Sequence, residues 1–464
     1  MAALVLAASA LPLGARSSAA AEITDVATAF EDDNPFDLRA RIGYEHDEAR
    51  GAIKREAEVP GSSELQVLKD LTYARSRDAM SARLEAGIFH ELGVFVELPF
   101  VLDDQTELHY DQSLGSGCVY PGGTGTPNCV NASNSSTVRD GIAPKNGYDA
   151  GAAGGPTSGN LLFRGAPRGG SGLDAFDTIN VGINWAVLSQ RRDPTKPTWV
   201  LGFESDISFG NIMKFDRAHP DANHGVSEGL HRLIFRTAVS RRWKWVEPYA
   251  GLWYQLPIAR ADSLFVDYGP AERNQGPQQS AGTVFGLEGI PWERPKEQYK
   301  LTLDARLRIE GMFDGRGYSE VWEMLASSPA LSCDPTQNPA CDPKQTSNPN
   351  TKYQGQPYTG LTQIENYASF GADFSVAAQL GRYVRLNLGF QYTHNQAHTI
   401  TADDVGQSFD PNSGSGCSTP TTGRVTRPCE YNPAYRPIVN QVGRRYVVDG
   451  LDLFRVGLWA QAMF

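Results

Sequence analysis

After residue 21 the chain has no apolar run long enough for a membrane helix, and its mean hydropathy is −0.38. A spanning helix needs about 20 consecutive apolar residues, so helical spans are excluded. Basic residues are the minority charge: 42 Lys and Arg stand against 53 Asp and Glu, a formal net charge of −11. A surface of that sign repels phosphate backbones, and no nucleic acid partner is expected. Cysteine is scarce, six residues in 464, with no Cys-x-x-Cys and no neighbouring histidine pair, which removes the usual zinc patterns. What the chain does have is 47 glycines, 20 Phe, 18 Tyr and 8 Trp among many polar residues, a composition unsuited to a helical bundle.

Residues 2–13 form a short apolar core, followed by Ala19-Ala20-Ala21 and then Glu22. Small residues at the third and first positions before a cut suit signal-peptidase cleavage after Ala21. The basic segment that normally precedes such a core is absent, so residues 1–21 read as a signal peptide truncated at its start. Residues 22–34 then read as a short periplasmic segment, and 35–464 as one domain. Export places the chain where disulfides persist. Cys118, Cys129, Cys333, Cys341, Cys417 and Cys429 all lie in stretches rich in Gly, Ser, Asn, Pro or Thr. Several pairings are open; proximity in sequence favours 118–129, 333–341 and 417–429.

The strongest pattern is period two. Over Lys300–Gly311, Leu301, Leu303, Ala305, Leu307 and Ile309 fall on one face, and Lys300, Asp304, Arg306, Arg308 and Glu310 on the other. A helix would mix these sets; a strand separates them. The pattern recurs over 35–45, 80–89, 177–187, 369–380 and 384–393, and more weakly over 93–103, 198–209, 229–241, 246–257, 281–290 and 451–464. Twelve strands of roughly ten residues are expected. Five connections are short, and six are long: 47–79, 104–175, 210–228, 258–280, 314–366 and 395–450. Every cysteine lies in a long one. An even strand count puts both termini on the short-turn side.

Alternation alone fits a soluble sandwich as well. Three features favour lipid. The polar faces carry many charges: Arg39, Arg41, Glu204, Asp206, Arg232, Arg236, Asp304, Arg306, Arg308, Glu310, Asp373, Arg385 and Arg455. The tryptophans Trp185, Trp199, Trp243, Trp245 and Trp292 cluster at the short turns, as half an aromatic girdle would. Finally, Phe454, Val456, Leu458, Ala460, Ala462 and Phe464 alternate to the last residue. This end resembles the C-terminal strand of Gram-negative outer-membrane β-barrel proteins, although Ala460 and Ala462 stand where aromatics are common.

The resemblance implies an all-β fold: a transmembrane antiparallel up-and-down barrel of about 12 strands with short periplasmic turns and long extracellular loops. It implies outer-membrane lipid as surroundings and Phe464 as the signal read by the barrel-assembly machinery. The leading expectation for function is a porin-like channel or transporter for small polar solutes, lined by the thirteen charged residues above. The Arg232/Arg236 and Arg306/Arg308 pairs put guanidinium groups where a carboxylate or phosphate would pass; the same residues also fit ion pairs that close the lumen. One alternative is a structural or surface-interaction barrel acting through disulfide-stapled loops. Another is a lipid hydrolase at the rim, for which Ser205 and His231 are the nearest nucleophile–base pair, about three residues out of register. No catalytic group, metal or cofactor is expected. Asp103-Asp104 and Asp403-Asp404 read as solvated loop charge, and His394 and His398 as residues at the end of a strand.

Overall fold

The computed structural model describes residues 21–31, 34–58, 65–112, 130–143, 146–152, 155, 159–216, 219–266, 276–328, 330–331, 358–402 and 434–464. All six cysteines, Asp403-Asp404 and residues 1–20 lie outside them, and so do the expectations placed on them.

Twelve strands form one closed ring. They are β1 (Leu38–Glu58), β2 (Leu65–Phe89), β3 (Leu92–Tyr110), β4 (Thr178–Leu188), β5 (Thr198–Ser208), β6 (Leu230–Ser240), β7 (Val246–Ala259), β8 (Ser280–Arg294), β9 (Tyr299–Met312), β10 (Tyr367–Leu380), β11 (Val384–Asn395) and β12 (Tyr446–Met463). Each pairs antiparallel with its neighbour in sequence, and β12 pairs with β1 to close the barrel. The seam is sealed at its end by Leu38 N donating to Phe464 O (3.1 Å) and Phe464 N to Leu38 O (2.8 Å). Within the ring every strand is paired on both sides, the condition for a sheet to cross lipid.

The alternation read from the sequence becomes an outer belt. Leu303, Leu307 and Ile309 of β9, Phe370 and Phe374 of β10, Leu386, Leu388 and Phe390 of β11 and Val456 and Leu458 of β12 are all exposed. Their strand neighbours Thr302 and Asp304 are buried inside. Trp185, Trp199, Trp243, Trp245 and Trp292 are exposed at the short-turn rim. A charge in the middle of such a belt would cost about 2–4 kcal/mol.

The connection expected at 47–79 is a correction. Here β1 and β2 run on, reaching 21 and 25 residues, and β3 and β12 reach 19 and 18. Crossing the bilayer takes only about nine to eleven residues. These four strands are adjacent in the ring and rise together as a wall above one side of the barrel. Above the belt their polarity inverts. Outward on β1, Arg50 is exposed and Glu48 half-exposed, while inward Ile53, Leu71, Tyr73 and Leu108 are buried. Water replaces lipid outside, and packed loops replace water inside. The rule "apolar means outward" therefore fails there, which is why the pattern was lost. His46 lies at the turnover: its Nδ1 is 2.8 Å from Asp78 Oδ1, which also accepts from Tyr44 Oη (2.6 Å). Tyr392, His394 and Asp452 repeat the arrangement on β11 and β12 (2.7 and 2.8 Å).

The wall carries a cap. Ile53, Leu71, Tyr73, Leu108, Tyr446 and Val448 from the wall pack against Ile142, Leu162, Phe163, Val321, Met324, Leu325, Ile400 and Val439 from the long loops. A short helix, Trp322–Ser327, is buried at every residue. Asp70 of β2 holds another, Ser136–Arg139, through the backbone N–H groups of Ser136 and Thr137 (3.1 Å each) and the hydroxyls of Ser135, Ser136 and Thr137.

Candidate functional site in the barrel lumen

The short-turn mouth is filled by the chain's own N-terminal segment. Within residues 22–34, read from the sequence as a short periplasmic segment, the stretch up to Thr28 enters the lumen from this mouth, beginning with Ala21. Ala21 N donates to Glu247 Oε1 (2.6 Å) and Glu22 N to Glu288 Oε1 (2.5 Å). Thr24 Oγ1 lies 2.7 Å from Ser240 Oγ, and Ala27 N donates to Glu85 Oε1 (3.2 Å). Arg39 binds Asp25 (2.9 Å), and Arg385 lies 3.5 Å from Glu22. The sequence signal for this plug was slight: a short acidic segment with no period of its own.

All thirteen charged positions expected inside are on inward strand faces, and the structure brings most of the arginines to carboxylates. Arg41 reaches Glu97 (3.2 Å), which also binds Arg83 (3.2 Å). Arg236 binds Glu204 (2.8 Å) and Arg308 binds Asp373 (2.9 Å). Arg306 Nε donates to Asp304 Oδ2 (2.7 Å), and Arg455 binds Asp47 (2.6 Å) and Glu45 (3.4 Å). Arg232 turns to Glu228 (2.5 Å) and Asp177 (3.3 Å) in the connections, not to a neighbouring strand. Asp206 Oδ1 has no hydrogen-bond partner among the described residues. Glu310 stands opposite Ser369 below the cap. Asp103-Asp104 is a correction: it sits in β3, and Asp104 accepts both Nε and Nη2 of Arg75 (2.7 and 2.5 Å).

Inward aromatic side chains were the larger omission. Trp459 lies flat on the inner wall over three glycines; a Cβ at Gly43, Gly389 or Gly457 would stand 2.3, 2.9 or 2.4 Å from its ring. Trp253 covers Gly282, Tyr249 covers Gly286 and Phe95 covers Gly182 in the same way. Glycine on the inward parity of neighbouring strands was the available signal. It thins the wall so that a ring lies along it and leaves the lumen free.

Against the plug lies a cavity of about 550 Å³. Seven guanidinium groups line it (Arg39, Arg41, Arg83, Arg236, Arg306, Arg308 and Arg385) against four carboxylates (Glu22, Asp25, Glu85 and Glu204). The acids that partner Arg41, Arg306 and Arg308, namely Glu97, Asp304 and Asp373, are not part of its wall. A smaller cavity of about 230 Å³ shares Glu22, Arg41, Arg306 and Arg385.

The Ser205–His231 pair does not form. Ser205 stands opposite Leu233, and His231 Nδ1 accepts from Ser208 N (3.1 Å).

No protein-family model and no curated protein matches the chain. Solved structures aligned to it include an outer-membrane channel from Pseudomonas putida F1, with 9% identity over 92% of this chain and 95% of that one and a TM-score of 0.32. A crystallographically refined porin aligns with 8% identity over 91% and 100% and a TM-score of 0.22. The outer-membrane protease OmpT of Escherichia coli aligns with 6% identity over 92% and 96%, also at 0.22. Such values carry no argument about activity, and the assignment rests on the chain's own geometry. A ring without edges, apolar outside and charged within, is stable only where lipid surrounds it and water fills it, so the chain is an integral β-barrel of the outer membrane.

Proposed function

We propose that the barrel is a channel or transporter for small polar solutes and that it favours anions. The observation that carries this reading is the cavity beside the plug, where seven guanidinium groups face four carboxylates although the whole chain is net acidic. Cationic walls with their counter-charges set behind them raise the local concentration of anions. Guanidinium groups also present forked donors suited to carboxylate or phosphate. The polar ends of such a solute would exchange partners along Arg306, Arg308 and Arg236. In this reading the chain performs no catalytic step, and Phe464 serves the barrel-assembly machinery during insertion.

The test is the reversal potential of the refolded protein in a planar bilayer across a salt gradient. An anion-selective sign is expected, and Arg306→Gln with Arg308→Gln should move it toward neutrality. Cation selectivity, or no change in the double variant, overturns the reading.

A second reading has one observation behind it. The long loops share a common apolar core on the wall, as a fixed recognition surface would. Loss of surface binding with unchanged solute flux on loop deletion would favour it.

A further inference from the structure

We propose that the chain is cut between Ala20 and Ala21, and that Glu247 and Glu288 are the receptor for the α-ammonium group this cut liberates. The cut is hydrolytic, by a protease of the signal-peptidase class. Water adds across the peptide bond: its hydroxyl goes to the Ala20 carbonyl carbon and a proton to the Ala21 nitrogen. The new amine takes a further proton at neutral pH.

Glu247 and Glu288 stand directly opposite each other on β7 and β8, and Asp304 of β9 continues the row. Glu247 is 0% exposed and Glu288 2%. Like charges opposed across a ladder destabilise it, and buried charges require pairing. Nearby cations are already engaged. Arg306 serves Asp304, Arg242 serves Glu293 (2.5 Å), and Arg385 reaches the Glu22 carboxylate. Lys300 acts electrostatically on both Glu247 and Glu288, Arg242 also on Glu247 and Arg385 also on Glu288. Two buried carboxylates thus depend on cations of which Arg242 and Arg385 also serve other acids.

The N-terminal segment brings its backbone to that place. Ala21 N is 2.6 Å from Glu247 Oε1, and Glu22 N is 2.5 Å from Glu288 Oε1. The other oxygen, Glu247 Oε2, is buried with no hydrogen-bond partner. An amide nitrogen at Ala21 has one hydrogen and no charge. An ammonium there has three hydrogens and a positive charge to offer the two carboxylates, next to the carboxylate whose second oxygen is orphaned.

The structure also selects the bond. Sequence alone places the cut after Ala21, but Ala21 belongs to the folded plug. Its side chain packs with Tyr249 and Val284, and its carbonyl accepts from Thr24 N (2.8 Å) and Thr24 Oγ1 (3.2 Å). Cutting one bond earlier keeps these contacts and still leaves small residues, Ser18 and Ala20, at the required positions.

Intact-mass measurement on protein purified from outer membranes should give a chain beginning at Ala21. A chain beginning at Glu22 or at any other residue overturns the proposal. The receptor is tested by labelling the α-amine of the folded protein in detergent with an amine-selective reagent near neutral pH. Labelling should be about tenfold slower than in the same chain unfolded in urea, the change expected of an ammonium held by one further unit of proton affinity. The Glu247→Gln/Glu288→Gln variant, with its fold checked by gel mobility before and after heating, should recover most of that loss. Equal rates in the folded variant and the folded parent overturn the receptor. If the variant does not fold, equal rates in folded and urea-unfolded parent overturn it.

Discussion

The lower and upper parts of β1 and β2 share one backbone ladder, continuous up to Ile53 and Leu71, and opposite polarity, while β3 and β12 turn the same apolar face inward through register shifts at Leu102 and between Val448 and Leu451. In the belt, Ile42, Leu84 and Leu458 face out while Arg39, Arg41 and Arg83 face in. In the wall, Glu48 and Arg50 face out while Ile53 and Leu71 face in. Backbone hydrogen bonding is indifferent to which face is apolar. The medium decides: lipid then water outside, water then packed loops inside. The same contrast separates the two mouths. Eight residues bound mainly by polar groups fill the lower one, whereas the upper carries a cap held by apolar burial.

Substitutions can break this contrast, and the largest effect is expected inside the wall. Leu71→Ala, at a fully buried position, should lower the free energy of cap opening by about 2–5 kcal/mol, read by native-state hydrogen exchange. Unchanged exchange would mean that the cap does not rest on the wall. In the belt, Leu307→Arg at a position 62% exposed should destabilise folding into lipid vesicles by about 2–4 kcal/mol in a denaturant titration.

Acidity gives a smaller and graded effect. Glu320 directly precedes Val321 of the cap core, and burial there pushes its carboxyl up to about 7. Its raised value means that the folded cap binds the proton more tightly than the opened one. The resulting stability is present in full below the ordinary carboxyl range, about pH 4.3, and is lost as pH rises through 7. Protease cleavage of the cap should therefore accelerate between about pH 5 and 8, and Glu320→Gln should flatten that rise. The smallest effect sharpens the contrast from the other side. Arg50→Leu, an outward change in the wall, should shift the same vesicle titration by no more than about 0.5 kcal/mol. A loss as large as that at Leu307 would place Arg50 inside the lipid belt.

Twelve strands and their faces were legible because each belt residue answers to one partner, lipid or lumen, and that choice repeats every second position. The thirteen charged inward positions followed from the same parity. What they do was not legible. Arg308 meets Asp373 only because β9 and β10 adopt a particular register, and Arg232 meets Glu228 and Asp177 only because the connections fold back. Trp459 over Gly43, Gly389 and Gly457 needs three strands aligned before the glycines acquire a meaning.

By itself the sequence determined the barrel, its strand order, the side that carries the long loops and the charged character of the lumen. These follow from local alternation and from turn and loop lengths. Only the tertiary structure decided the rest: the wall above four strands, the cap that rests on it, the partners of each arginine and the plug at Glu247 and Glu288. Those depend on which distant groups are brought within a few ångströms, and residues 226 and 266 positions apart carry no mark of each other in a linear pattern.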